Sequence, residues 1–313
     1  MKVSVEKQRR SSKGPSKGGA PQTANISSPV EFELSEGASV LDLKNQIQKK
    51  MKVPVVQQRL TIDGGKKVLE DKSLVKNYEL EDKVVALKDL GPQISWKAVF
   101  LIEYGGPILI HLAIYKMQSL FYGQKFVHSP AQRAMFFMAI FHYLKREYET
   151  LFVHRFSHGT MPFSNLFKNC FHYYVLGGVL LAYFNYMPSG GLGTPVADNM
   201  SSFRIAISIL LFIASEFSNY STHVTLKNLR PAGSTVRKIP YGYGFDMVSC
   251  PNYLFEILSW LSYAIISPSY FTWLFIIVSS AQMYLWAVKK HKAYKKEFPN
   301  YPKSRKALFP YIA

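Results

Sequence analysis

Three carboxylates stand where a segment built for lipid would exclude them. Glu103 lies inside KAVFLIEYGGPILIHL, Glu216 inside LLFIASEFSNY and Glu256 inside NYLFEILSW. An ionisable group within a bilayer costs at least ~2.5–3.5 kcal/mol, so such groups face a partner or a cavity. On a helix Asn252 and Glu256 are four residues apart, and Tyr253 and Glu256 three, so an amide, a phenol and a carboxylate can line one face. Such a set either hydrogen-bonds across packed helices or lines a ligand site. Three carboxylates, a Pro-Asn-Tyr entry and basic flanks together favour the ligand site.

Histidine raises a second chemistry. HRFSH places His154 and His158 one helical turn apart, a spacing that can hold a metal. The remaining six, His111, His128, His142, His172, His223 and His291, are isolated, and a di-iron centre cannot be assembled from one pair. No metal is expected, and hydrogen-bonding or phosphate-facing roles are preferred. There is no G-x-G-x-x-G, because PSGGLGTP breaks the pattern at its third glycine and reads as a loop. A P-loop and a G-x-S-x-G elbow are also missing. A nucleotide cofactor would be held by something other than a Rossmann turn, such as Lys/Arg-rich loops beside membrane helices.

The elements that must position these groups divide at about residue 90. Of 313 residues 48% are hydrophobic, and they concentrate beyond that point. Six candidate spans follow, near 95–115, 132–152, 170–187, 203–220, 252–267 and 269–288, each approaching the ~20 residues that cross a bilayer. The second is the weakest, interrupted by Lys145, Arg146 and Glu147. The fold class expected is therefore an α-helical polytopic membrane domain over 91–313, preceded by a small α/β domain over 1–90.

The net charge of +18 invites a nucleic-acid partner, but its placement argues against one. Lys289, Lys290, Lys292, Lys295, Lys296, Lys303, Arg305 and Lys306 all follow the last apolar run and read as tail charge. A basic tail beside a span marks the cytosolic side and can touch anionic lipid. An even span count then puts both termini in the cytosol. The N-terminus has no apolar core of a signal peptide, and Cys170 and Cys250 both border apolar runs, so no disulfide framework is expected.

Within the first domain VEFELS alternates like a half-buried strand. In SVLDLKNQIQKKM, Ser39 is placed as N-cap, Asp42 stands in the first turn, and Val40, Leu43, Ile47 and Met51 form an apolar stripe. QRLTIDGGKKVL reads as strand, tight turn and strand, and KVVALKDL as a closing strand. This order resembles the ubiquitin-like fold. The insert near 8–29 is rich in Gly, Ser, Pro and Lys and reads as a mobile loop. The chain continues from Leu90 and Gly91 through Pro92 into the apolar region, so a docking or stability role is favoured over conjugation.

The motifs KDLGPQISW, FLIEYGGP, ETLFVHRFSHGTMP, LKNLRPAGS, VSCPNYLFEI and YPKSRKALFPYI, in this order, closely resemble the very-long-chain trans-2-enoyl-CoA reductases of the endoplasmic reticulum, members of the steroid 5α-reductase family. The likeness spans nearly the whole chain. It implies an NADPH-dependent enzyme performing the last step of the fatty-acid elongation cycle, with a very-long-chain trans-2-enoyl-CoA as substrate. It also implies elongase, ketoacyl-CoA reductase and hydroxyacyl-CoA dehydratase as partners.

The resemblance assigns roles as well. Tyr253 matches the family's catalytic tyrosine, placed to donate to the thioester oxygen and to protonate the α carbon. Glu103 matches the intramembrane glutamate that helps bind the substrate carbonyl in steroid reductases, although EY stands here in place of QE. Asn252 and Glu256 fall on cofactor contacts, as do Asn219, Arg230 and Tyr294. His223 stands where those enzymes carry an aspartate. Two alternatives remain open: a membrane reductase of a 3-oxo steroid or polyprenol, and a non-enzymatic membrane adaptor.

Overall fold

The computed structural model describes residues 1–8, 28–80, 83–156, 159–188, 200–229, 231, 236–267 and 269–312. Most of the Gly/Ser/Lys-rich insert, the glycines of PSGGLGTP, His158 and Arg230 lie outside these residues. The chain forms two compact units, residues 1–94 with 160–164, and residues 95–159 with 165–313.

The first unit is a mixed sheet against one helix. Strands β1 (Lys2–Gln8), β2 (Val30–Glu33), β3 (Gln58–Ile62), β4 (Lys67–Val68) and β5 (Val84–Asp89) lie in the order β2-β1-β5-β3-β4. β1 and β5 run parallel, with Val5 opposite Val85, and the other pairs are antiparallel. Alternation sends Val3, Val5, Leu60, Ile62, Val85 and Leu87 into a core shared with α1 (Val40–Met51). Ser39 caps α1 as expected. Its hydroxyl accepts from the Asp42 amide at 3.2 Å, and the Asp42 carboxylate accepts from the Ser39 amide at 2.8 Å, a reciprocal capping box. The DGG turn has Asp63, Gly64 and Gly65 at φ 54°, 66° and 88°, a left-handed run that glycine tolerates.

One strand escaped the sequence reading. KVSVEKQ reads as a polar terminus, yet β1 pairs on both sides, as an interior strand between β2 and β5. Only two valines carry its alternation, and its parallel partner lies some eighty residues on, so no local pattern announces it.

The second unit is helical: α2 (Trp96–Lys116), α3 (Gln118–Tyr122), α4 (Pro130–Phe152), α5 (Ser164–Cys170), α6 (Leu181–Tyr186), α7 (Ser202–Asn228), α8 (Pro251–Ala264) and α9 (Tyr270–Glu297). Strands β6 (Gln93–Ser95) and β7 (Thr160–Pro162), which fall almost wholly within the first unit, form a separate two-stranded sheet. Serines 95, 129, 201 and 269 each cap the helix that follows by accepting from a first-turn amide.

Between α5 and α6 residues Phe171–Leu180 are π-helical, a wider coil than the single span expected over 170–187. The Gly177 carbonyl there accepts from the Tyr143 hydroxyl at 3.2 Å and lies 2.9 Å from His111 Nε2. The opposing helix makes room: a Cβ on Gly106 would lie 1.9 Å from the Tyr174 ring.

Among the described residues three helices are long and apolar enough to cross a membrane by length and composition: α2, α7 and α9. The other three expected spans do not reach that standard. α4 carries a polar stripe, the helix over 164–186 changes pitch, and α8 has 14 residues. At 1.5 Å per residue α8 reaches about 21 Å, short of the ~30 Å hydrocarbon layer.

Candidate active site

Three helices place their polar residues on facing stripes. On α4 His142, Lys145, Arg146 and Glu149 recur at intervals of three and four, so they share one face. α7 answers with Glu216, Asn219 and His223 at the same kind of spacing, and α8 adds Asn252 and Glu256. All are withdrawn from the surface: Glu149 is 0% exposed, His142 2% and Glu216 3%.

The contacts form one continuous network. His142 Nδ1 lies 2.6 Å from Glu216 Oε1, and its Nε2 lies 3.2 Å from Glu256 Oε1. Ionised carboxylates only accept, so a ring set between two of them donates from Nδ1 to Glu216 and pairs with Glu256 as the imidazolium. Lys145 meets Glu149 at 3.2 Å and Glu216 at 3.1 Å, and donates to Asn219 Oδ1. Arg146 donates to Glu149 Oε2 at 2.6 Å and to the Tyr104 hydroxyl at 2.9 Å, with its guanidinium 5.0 Å from the Tyr104 ring centre. Asn219 Nδ2 closes the network, donating to the Asn252 carbonyl at 2.8 Å and to Glu256 Oε2 at 3.2 Å. Three cations thus face three carboxylates, and the network is neutral overall. That balance is what permits it inside an apolar bundle.

The proposed site residues distribute unevenly around this network. Asn219, Asn252 and Glu256 are directly bonded within it. Asn252 Oδ1 is buried without a hydrogen-bond partner among the described residues. His223 Nδ1 lies 3.0 Å from Glu149 Oε1. The carboxylate that faces this position comes from α4.

Tyr253, three residues before Glu256, lies about 60° of helix rotation from it and turns toward α9. Its ring lies 6.2 Å from that of Trp286 on α9, about 100° of helix rotation beyond Asn252. It remains within electrostatic range of Arg146, Tyr104 and Glu256, and its hydroxyl makes no hydrogen bond to the described residues.

Glu103 stands apart from Glu216 and Glu256. It is 2% exposed and its Oε1 has no hydrogen-bond partner among the described residues. Asn169 and Arg146 are the polar groups acting on its carboxyl, so Arg146 is its link to the network. Tyr294 belongs to another neighbourhood, near the end of α9, where its ring stacks on Tyr301 at 5.4 Å.

Glu149, His154 and His223 place ligand atoms within 4.8 Å of one another, the geometry of a small metal site. Glu149 is already engaged by Lys145 and Arg146, so a metal ion would enter beside two fixed cations. The donor set suits the ion-pair network better than a metal. The residues that sequence reasoning missed are those of α4. Lys145 and Arg146 count there as interruptions of a span, whereas His142, Lys145, Arg146 and Glu149 match the polar stripe of α7. The shared three-and-four spacing was the available signal.

The profile of the 3-oxo-5-alpha-steroid 4-dehydrogenase family matches residues 159–313, and that of the ubiquitin family matches residues 25–87. The chain is 41% identical over 290 residues to the very-long-chain enoyl-CoA reductase of Dictyostelium discoideum, covering 90% of this chain and 94% of that one. It is 39% identical over 305 residues to a Caenorhabditis elegans protein named for the same activity, covering 94% and 97%. The trans-2,3-enoyl-CoA reductase-like protein of Homo sapiens is 30% identical over 291 residues, covering 90% of this chain and 78% of that one. With near-complete coverage in relatives so distant from one another, the chain belongs to the very-long-chain enoyl-CoA reductase family, a ubiquitin-family domain joined to a domain of the steroid 4-dehydrogenase type.

Proposed function

We propose that this protein reduces the trans-2 double bond of very-long-chain enoyl-CoA with NADPH, the last step of each fatty-acid elongation round. The observation that carries this is identity of 39–41% to enoyl-CoA reductases over at least 90% of the chain. The buried α4–α7–α8 network supports it from the side of chemistry, because it fixes polar groups in apolar surroundings without a net charge.

The residues fit a reduced nicotinamide. Asn252 Oδ1 is an acceptor awaiting a donor, of the kind that a carboxamide N–H supplies. When bound, the cofactor supplies the hydride that adds to the β carbon of the substrate. Tyr253, its hydroxyl uncommitted, donates to the thioester oxygen as negative charge collects there and then delivers a proton to the α carbon. Glu256 and Asn219 hold the start of α8 against α7. Asn219, His223, Asn252 and Glu256 line the cofactor side, and Tyr294, in its separate neighbourhood at the end of α9, is assigned to the cofactor on the resemblance alone. Arg230 is assigned to a cofactor phosphate on the resemblance alone. Glu103, with one oxygen unpartnered, binds toward the thioester end of the substrate.

The protein resides in the endoplasmic reticulum membrane with both termini cytosolic, and α4, the 164–186 helix and α8 complete a six-crossing bundle. Its partners there are the elongase, ketoacyl-CoA reductase and hydroxyacyl-CoA dehydratase. The test is purified protein with NADPH and a long trans-2-enoyl-CoA, followed by loss of nicotinamide absorbance. NADH in parallel addresses the cofactor, and a 3-oxo steroid the neighbouring activity. Oxidation with the steroid and none with any acyl-CoA overturns the reading. Tyr253→Phe should lower turnover by at least ~100-fold, the scale of general acid catalysis, with cofactor affinity retained.

A further inference from the structure

The chain beyond α9 is not a loose basic tail. Arg305 is 2% exposed, an unusual setting for an arginine, and its Nε is buried with no hydrogen-bond partner among the described residues. Its NH1 donates to the Pro240 carbonyl at 2.8 Å. Its guanidinium lies 4.7 Å from the Tyr241 ring centre and 5.3 Å from that of Tyr301. Asp246 approaches only to 3.7 Å and is largely exposed, so the aromatic faces and the carbonyl hold this cation more than an ion pair does.

The same segment pairs with the strand of chain that leads into α8. Lys306 N donates to Met247 O at 3.2 Å, and Ser249 N donates to Lys306 O at 2.8 Å. Ser249 Oγ lies 2.6 Å from both the Tyr301 hydroxyl and His291 Nδ1. Two residues later come Pro251, Asn252 and Tyr253, the first turn of the helix. Ala307 and Leu308 pack with Val248, Cys250 and Leu254 in one buried cluster, and Tyr253 rests against it. Gly244 tightens the entry from the other side: it sits at φ 75°, and a Cβ there would lie 2.7 Å from Pro251 Cβ.

We propose that Arg305 is a positioning residue for the reduction: it locks the C-terminal segment onto residues 240–249 and so fixes where the first turn of α8 presents Tyr253. The proposal rests on the assignment of Tyr253 as donor. A planar fork between two rings is required, which lysine does not reproduce.

The experiment is a kinetic double-mutant cycle on the full chain in detergent, with Arg305→Lys, Tyr253→Phe and the double variant, each checked for monodispersity. Misplacing a reacting group by about 1 Å costs on the order of 100-fold. Arg305→Lys should therefore lower kcat ~10–100-fold with KM for NADPH within about threefold of wild type. In the Tyr253→Phe background the same change should cost less than about threefold, because the group it positions is gone. Full additivity of the two losses overturns the positioning role, as does an Arg305→Lys effect confined to KM. If Tyr253→Phe alone leaves kcat unchanged, the donor assignment fails instead, and the two failures are read from different arms.

Discussion

Replacing Glu149 with glutamine tests whether the buried network is a single electrostatic unit. The side chains are isosteric, so packing is kept and the charge alone is removed. His142, Lys145 and Arg146 then face only Glu216 and Glu256, which leaves one uncompensated positive charge inside the bundle. Lys145 keeps Glu216 at 3.1 Å, whereas Arg146 loses its 2.6 Å carboxylate and keeps the Tyr104 hydroxyl and ring. Breaking a buried pair from one side costs about 3–5 kcal/mol. At 2–4 °C per kcal/mol for a unit of this size, the melting midpoint should fall by roughly 10 °C. The control is Glu297→Gln, which breaks an Arg237 contact of 3.0 Å between side chains 58% and 41% exposed. Such a surface pair is worth under ~1 kcal/mol. Thermal denaturation by intrinsic fluorescence in one detergent compares the two, with Glu149→Gln/Arg146→Met as the companion in which neutrality is restored. A Glu149→Gln midpoint no lower than that of the Glu297→Gln control refutes the single-unit argument, as does a double variant less stable than the sum of its parts.

Three further outcomes can be checked directly. Gly106→Ala forces a methyl to within 1.9 Å of the Tyr174 ring and should cost about 1–3 kcal/mol, whereas Gly105→Ala, 3.4 Å from a flexible Glu147 oxygen, should melt near wild type. Ser39→Ala removes half of the capping box and should cost about 1 kcal/mol, read as faster amide exchange in α1. The hydroxyl and amide of Ser39 hold the Asp42 carboxyl below its ordinary range. That contribution is present above the unfolded value and is lost as pH falls through the folded one. Protection of α1 should therefore drop as pH falls below the ordinary carboxylate range in wild type and change little there in Asp42→Asn.

The apolar runs were legible where one helix carries its own signal. The spans read at 95–115, 203–220 and 269–288 begin within one residue of α2, α7 and α9, because an unbroken hydrophobic stretch needs no partner to be recognised. The α1 cap and stripe were legible for the same reason: Ser39, Asp42, Val40, Leu43 and Ile47 act within one helix. What stayed hidden depends on segments far apart in sequence. β1 becomes a strand only beside β5, and Arg305 becomes a core residue only against Pro240 and Tyr241.

α4 makes the same point from the side of the site. Per residue, Lys145, Arg146 and Glu149 argue against burial, since each alone would be expelled from an apolar bundle. Burial becomes favourable only when α7 and α8 return Glu216, Asn219 and Glu256 at matching heights. A hydropathy window cannot see that match, because it sums along one helix while the compensation runs across three. The complementary test is therefore comparative: two polar stripes at three-and-four spacing with opposite charge, in one chain of apolar helices, predict mutual contact. His142, Lys145, Arg146 and Glu149 against Glu216, Asn219 and His223 meet that description, and the distances between them lie within 3.4 Å at every contact. The polar content that makes α4 a poor lone span is thus what makes it the spine of the site.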